Sequence, residues 1–312
     1  NGSNWTEVND LNTARQRHSG VGADNTSSIA AGGIDPAGPP LGVTETWNGS
    51  SWTEVADLNS GRYDLAASGT ATAALVFGGQ GPSPIYALTE SWNGSAWTEV
   101  GDLVGSKKFH GGSVKGTSTA ALAFAGSDGT ARITLTETWN GTSWAEDGDM
   151  SAARAILGGA GTNTAGLAFC GDQGATFSQA TEEWTGAGAD IGAWATSTDM
   201  NTGKRITGGS GISTAALNFG GFPGVANTES WNGSAWTEVN DLNTGRGQGA
   251  SMGVLYTASL FAGGPPSSAL AENWNGSSWT EVGDLNNGRQ QSAGAGTNTA
   301  GIVMAGRSPI LA

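Results

Sequence analysis

A tryptophan followed five residues later by Asp-Leu or Asp-Met occurs seven times, at Trp5, Trp52, Trp97, Trp144, Trp194, Trp236 and Trp279, at spacings of 47, 45, 47, 50, 42 and 43 residues. A period of this length makes each repeat one supersecondary unit that cannot bury its apolar face alone and must pack on its neighbours. The aspartates are Asp10, Asp57, Asp102, Asp149, Asp199, Asp241 and Asp284, and five residues after each stands a base: Arg15, Arg62, Lys107, Arg154, Lys204, Arg246 and Arg289. Six units carry a second tryptophan with a glutamate two residues before it: Glu45 and Trp47, Glu90 and Trp92, Glu137 and Trp139, Glu182 and Trp184, Glu229 and Trp231, Glu272 and Trp274.

Within a unit the texture is that of short strands. In the second unit, turn residues at Gly-Thr-Ala-Thr, Gln-Gly-Pro-Ser-Pro and Asn-Gly-Ser divide the chain into strands at 63–68, 73–78, 87–92 and 97–100. The first is built of small residues and the last two carry tryptophan, as wedge-shaped blades require when they crowd at an axis and splay outward. The second, Ala-Ala-Leu-Val-Phe, is apolar without alternation, as a strand covered on both faces would be. For the Trp-Asn-Gly-Ser-x-Trp hairpin two registers fit. A two-residue type I′ turn at Asn93-Gly94 pairs Trp92 with Ser95, and a four-residue turn pairs Trp92 with Trp97. Both put the two tryptophans on one face, against a neighbouring blade.

These features predict an all-β chain: a single seven-bladed β-propeller over residues 1–312, of four-stranded antiparallel blades. The blades are expected at about 16–56, 63–101, 108–148, 155–198, 206–240, 247–283 and 290–312, the last joined by 1–9. The tail supplies two strands and, at 308–312, the start of a third. An N-terminal strand would complete that blade and hide the open edge of the ring. Head and tail together lack only a Leu-Thr-Glu-Thr-Trp-like stretch.

Composition narrows the partners. The 27 acidic and 13 basic residues give a net charge of −14, which repels phosphate backbones and argues against nucleic acid. No run approaches 18 apolar residues, which argues against membrane insertion, and Asn1 to Asp10 lacks the basic start and apolar core of a signal peptide. The sequence enters its repeat part-way, as a processed product or an excised segment would. Cys170 is the one cysteine, so packing rather than an intrachain disulfide must hold the chain together.

The order of base, small strand, Gly-Gly, Glu-x-Trp and Trp resembles the kelch repeat over the whole chain, with Trp47 and its equivalents standing where tyrosine is usual. The phrase Thr-Glu-x-Trp-Asn-Gly-Ser-x-Trp-Thr-Glu-Val is similar to repeat-bearing structural proteins of tailed bacteriophages, marine ones especially. The kelch resemblance implies a propeller that serves as a scaffold, a lectin-like binder or, in a few cases, an enzyme. The phage resemblance implies a virion or surface location, with other virion or surface proteins, or host glycans, as partners.

The repeated residues read as structure. Trp47, Trp52, Trp92, Trp97, Trp139, Trp144, Trp231, Trp236, Trp274 and Trp279 form the expected inter-blade layers. The seven Asp and base pairs, Asp57 and Arg62 among them, are expected to be bonds holding each inter-blade loop. The sequons at Asn48, Asn93, Asn140, Asn232 and Asn275 are explained by turn chemistry. His18 and His110 fall on non-adjacent units, a poor basis for a metal site. Kelch copper oxidases offer a comparison, but none of Tyr63, Tyr86 and Tyr256 adjoins a histidine. No paired carboxylates and no Ser-His-Asp set can be placed, so neither catalytic residue nor cofactor is expected, and the chain reads as a binding or structural module rather than an enzyme.

What varies between repeats is the connection from second to third strand and the three positions after each base: Gln16-Arg17-His18, Tyr63-Asp64-Leu65, Lys108-Phe109-His110, Gln248 and Gln290-Gln291. In a four-stranded blade both open on one face, where binding loops on a constant frame are expected. Arg17, His18, Tyr63, Lys108, Phe109 and His110 are therefore the candidate contacts. The alternative is a secreted carbohydrate-binding lectin or a mutarotase-like kelch enzyme.

Overall fold

Strands form where the repeat asks for them. The computed structural model describes residues 6–35, 37–112, 116–186, 192–266 and 268–307, and among these every regular element is a strand. In the second unit the strands are Ala66–Thr70, Ala73–Phe77, Thr89–Trp92 and Trp97–Glu99, hydrogen-bonded antiparallel in chain order. Five further sheets repeat this plan. The innermost strands, from Ser19–Asp24 to Ala293–Gly296, stand side by side around a centre, and Ala293–Gly296 packs against both Ala250–Leu255 and Ser19–Asp24.

The expected blade count is corrected. Among the described residues six four-stranded blades are present, not seven, and the last repeat contributes a two-stranded sheet, Ala293–Gly296 with Gly301–Met304. Among the described residues no Glu-x-Trp stretch pairs with Gly301–Met304, so the last sheet stops at its second strand there. The expected closure by an N-terminal strand fails over residues 6–10, which form no strand. Residues 1–5 and 308–312, on which the rest of that expectation falls, lie outside the described residues.

Small inner strands have a steric cause. A Cβ at Gly111, Gly158 or Gly208 would lie 2.2–2.3 Å from the ring of Phe124, Phe169 or Phe219 on the paired strand, so the glycine is what lets each ring lie over the sheet. The hairpin adopts the four-residue register. Trp92 pairs directly with Trp97, and all six tryptophan pairs do the same, with ring centroids 5.3–5.5 Å apart. The Asn93 side-chain oxygen accepts the N–H groups of Ser95 and Ala96, each at 2.9 Å. Asn48, Asn140, Asn232 and Asn275 repeat this turn, which accounts for the sequons without glycosylation.

Each pair packs on the preceding blade. Trp92 and Trp97 join Ile29 and Ala31 of the first blade in one apolar cluster, and the Trp97 indole N–H donates to Thr44 Oγ1 at 3.0 Å. The same bond links Trp144 to Thr89, Trp194 to Thr136, Trp236 to Thr181 and Trp279 to Thr228, at 2.8–2.9 Å. One side chain thus supplies apolar area and a directional bond across the interface.

The bases do not bind the aspartates that precede them. Each of the first six is buried against the glutamate of its own third strand: Arg15 with Glu45 at 3.0 Å, Arg62 with Glu90 at 2.5 Å, Lys107 with Glu137 at 2.9 Å, Arg154 with Glu182 at 3.0 Å, Lys204 with Glu229 at 3.9 Å, and Arg246 with Glu272. Asp57, Asp102, Asp149 and Asp241 instead accept the backbone N–H of the threonine opening the third strand, at 2.9–3.2 Å. Both roles are structural, but the partners are exchanged. Burial pushes Arg15, Lys107, Arg154 and Lys204 below their ordinary values, and the facing glutamate offsets part of this.

Candidate functional site

Two residues after each base the backbone turns left-handed. Arg17, Asp64, Phe109, Ile156, Ile206, Gln248 and Gln291 all have φ of 54–57°. A non-glycine residue there costs about 1 kcal/mol or more, so the surrounding structure must impose it. It does so through a chain of backbone bonds. The N–H of Asp64 donates to the Arg17 carbonyl (3.1 Å), Phe109 to Asp64 (3.3 Å), Ile156 to Phe109 (2.9 Å), Gln248 to Ile206 (3.4 Å) and Gln291 to Gln248 (2.7 Å). These residues surround the mouth of the central channel. One backbone conformation thus presents a cation, an anion, an aromatic ring, two aliphatic groups and two amides around a single opening.

The residue before each of these bridges to the connection between second and third strands: Tyr63 to Gln80, Lys108 to Ser127, Ala155 to Asp172, Arg205 to Phe222 and Gln290 to Arg307. The variable loops and the mouth therefore share one face, and two clusters form there.

The first holds four of the candidate residues. The Arg17 guanidinium lies 4.5 Å from the Tyr63 ring centroid and 5.2 Å from that of Phe109, and pairs with the Asp64 carboxylate. Lys108 Nζ lies 5.4 Å from the Phe109 centroid and donates to Gln80 Oε1 at 2.9 Å. Asp64 had not been singled out, because on sequence it is one acidic residue among many. Burial raises its pKa to about 6 even though the Arg17 bond opposes the shift. Because the folded value is the higher one, Asp64 lowers stability as pH rises from the usual carboxylate range through about 6.

The second cluster was not anticipated. Arg205 lies 4.9 Å from the ring centroids of both Phe177 and Phe222, and its guanidinium pairs with Asp172. Arg132 Nη2 meets the other Asp172 oxygen at 2.9 Å. Burial alone would push this carboxyl up, but the Gly174 N–H and the two guanidinium groups together hold it below the usual range. The sequence signal was available: Arg205 follows a repeat base, as Tyr63 and Lys108 do, and Phe177 and Phe222 sit in the variable connections.

His18 and His110 are not presented as ligands. Both ring nitrogens of each are buried without a protein hydrogen-bond partner among the described residues, and the His110 ring packs 5.5 Å from Phe77. Burial, with Arg15 beside His18 and Lys107 beside His110, lowers each to about 3. Held neutral in the fold but free to protonate once unfolded, each contributes stability that is lost as pH falls from 6.5 towards 3. By pH 5 the loss should reach about 1–2 kcal/mol per ring. Urea unfolding of His110→Phe at pH 7 and pH 5 should show that much less acid destabilisation than the parent; equal losses in both would refute the assignment. Among the described residues, no three of His, Cys, Asp and Glu come together to hold a metal. Cys170 is buried, and burial pushes its thiol up.

No family model matches the chain, and no curated protein matches it. Among solved structures, YjhT, a kelch-type propeller, matches with a TM-score of 0.67 and 13% identity, over 87% of this chain and 98% of that one. The chain is a β-propeller. At that identity the likeness is one of fold, and function has to be argued from the loop-bearing face itself.

Proposed function

We propose that the chain is a non-enzymatic binding module that holds a protein or glycan partner against the loop-bearing face of the propeller, the repeated hairpins serving as its frame. The observation that carries this is the channel mouth, where one backbone conformation displays chemically different side chains. Identical turns could offer only repeated, low-information contacts. A rim joining Arg17, Tyr63 and Phe109 on one side to Arg205, Phe177 and Phe222 on another offers cation–aromatic anchors, the residue types that dominate binding energetics. The resemblance read from the repeat phrase Thr-Glu-x-Trp-Asn-Gly-Ser-x-Trp-Thr-Glu-Val motivates a finer reading, in which the module belongs to a virion fibre or decoration protein, or to a cell surface, and its partners are neighbouring surface proteins or host glycans.

Replacing Tyr63, Lys108 and Phe109 together by alanine should weaken partner attachment by roughly 10- to 100-fold. The accompanying loss of folding stability should stay within about 1–2 kcal/mol, since only partly exposed cation–aromatic contacts are removed. Surface resonance on particles or host cells reads the first quantity and urea unfolding the second. Attachment that survives the triple change but is lost when the Asn-Gly-Ser turns are altered would overturn the assignment of the face. Specific monosaccharide binding on a glycan array would favour a secreted carbohydrate-binding or mutarotase-like protein instead.

A further inference from the structure

The two clusters of the loop-bearing face use their carboxylates differently. In the first, a single base takes the whole of Asp64: Arg17 donates from Nε to one carboxylate oxygen and from Nη2 to the other, so the two charges match one to one. In the second, Asp172 is shared. Arg132 meets one of its oxygens through Nη2 and donates from Nε to its backbone carbonyl at 3.0 Å, while Arg205 meets the other oxygen through Nη1. Two guanidinium groups thus face one carboxylate, and the cluster carries one positive charge in excess. Asp128, the acidic residue of the loop that carries Arg132, is turned back on its own hairpin, where it accepts the N–H groups of Thr130 and Ala131.

The donors left over are held in place. Among the described residues Arg132 Nη1 and Arg205 Nη2 have no protein partner, and Arg205 Nε is buried without one. Arg205 is kept from swinging out, because its guanidinium lies 4.9 Å from the ring centroids of both Phe177 and Phe222 while Nη1 is tied to Asp172. A planar group fixed in this way loses little freedom when it forms a further bond. The side chains of Arg132 and Arg205 are 37% and 26% exposed, so a ligand can reach them, and Phe222 beside them is 38% exposed. None of these residues lines the channel mouth, which makes the cluster a separate place on the same face.

We propose that Arg132 and Arg205 form a subsite for a carboxylate group that carries an apolar substituent. The carboxylate takes up the leftover donors of the two bases and restores the charge balance of the cluster, and the substituent packs on the exposed part of Phe222. Charge-assisted bonds from planar guanidinium groups suit a planar carboxylate in geometry as well as in charge. In a chain of net charge −14, a surplus cation fixed at the surface is a place where an anionic group is drawn in against the overall repulsion. The inference rests on the proposed binding role of the loop-bearing face and adds a ligand chemistry to it, but its test needs no partner.

The test titrates the full, isotope-labelled chain with benzoate in an NMR experiment at low chloride and constant ionic strength. Benzoate should bind saturably, with a Kd of about 1–10 mM for one charged and one small apolar contact. It should shift the Nε–H signals of Arg132 and Arg205 and the amide of Gly174, which donates to Asp172. Benzamide, of the same shape but neutral, should bind about tenfold or more weakly, and so should benzoate to Arg132→Gln. Arg132→Lys, which keeps the charge without the fork, should lose only severalfold. Absence of saturable binding, equal binding of benzamide, displacement of benzoate by an equal concentration of sulfate, or shifts confined to the channel mouth would overturn the proposal. Should Arg132→Gln fail to fold, the benzamide comparison decides it on the unaltered chain. A chain that attaches to its partner yet takes no benzoate loses the subsite alone, whereas one that takes benzoate and attaches to nothing keeps the subsite and loses the binding role.

Discussion

Replacing Glu90 by leucine while Arg62 remains should cost about 3–5 kcal/mol of folding stability, whereas the double change Arg62→Met with Glu90→Leu should recover most of that loss. Both side chains are essentially inaccessible and lie 2.5 Å apart. Removing the carboxylate alone leaves a guanidinium with no solvent and no counter-charge, and desolvation then acts unopposed. Replacing both puts apolar side chains of similar volume in their place, and replacing a buried ion pair in this way is often neutral or even stabilising. Recovery should stop short of complete, because Glu90 also accepts two N–H groups from Asn59, at 2.8 Å each, and these stay orphaned in the double variant. Urea unfolding of parent, single and double variants measures all three quantities. A single change costing under about 1 kcal/mol, or a double variant no better than the single, would show that the pair is not what holds the base in the blade.

The exchange of partners between Asp57 and Glu90 marks the limit of what the sequence makes legible. Both carboxylates recur at fixed distances from a base, and spacing alone favours the nearer one, Asp57, five residues before Arg62. Only the strand order decides: the third strand returns beside the second and brings Glu90 over Arg62, while Asp57 is left to hold the Thr44 N–H. Blade structure, strand order and the paired tryptophans were readable because they are local and repeated. The blade count was not, since counting repeat units credits the last one with a full blade, whereas among the described residues it forms two strands. The hairpin register stayed open because Asn-Gly suits both turns, and the Trp-to-Trp pairing settled it.

The loop-bearing face was legible in outline only. Variation after each base pointed to Arg17, Tyr63, Lys108 and Phe109, which do converge, and also to His18 and His110, whose nitrogens turn into the interior. A position's distance from the base predicts its place on the face but not the direction of its side chain. The positions two after the base face the channel mouth and those one after bridge to the loops, so Arg205 belongs with Tyr63 and Lys108. Asp172, Phe177 and Phe222 enter through connections of unequal length, for which the repeat supplies no template.

Trp97→Ala should cost about 3–5 kcal/mol, and the milder Trp97→Phe should separate its two contributions. Trp97 is 6% exposed, packs at a tilt against Trp92 and reaches across to the first blade, so alanine removes both the ring pair and the interface area around Ile29 and Ala31. Phenylalanine keeps most of that area and removes the indole N–H, leaving the buried Thr44 hydroxyl without its donor, a loss of about 1–2 kcal/mol. Trp52→Phe offers an internal control at the equivalent position. Its indole N–H has no acceptor among the described residues, so the same substitution there should cost about 1 kcal/mol less than at Trp97. Equal costs at the two positions would mean that the inter-blade bond contributes nothing measurable and that ring packing alone fixes one blade to the next. A larger cost at Trp97 would show the cross-blade bond contributing alongside that packing.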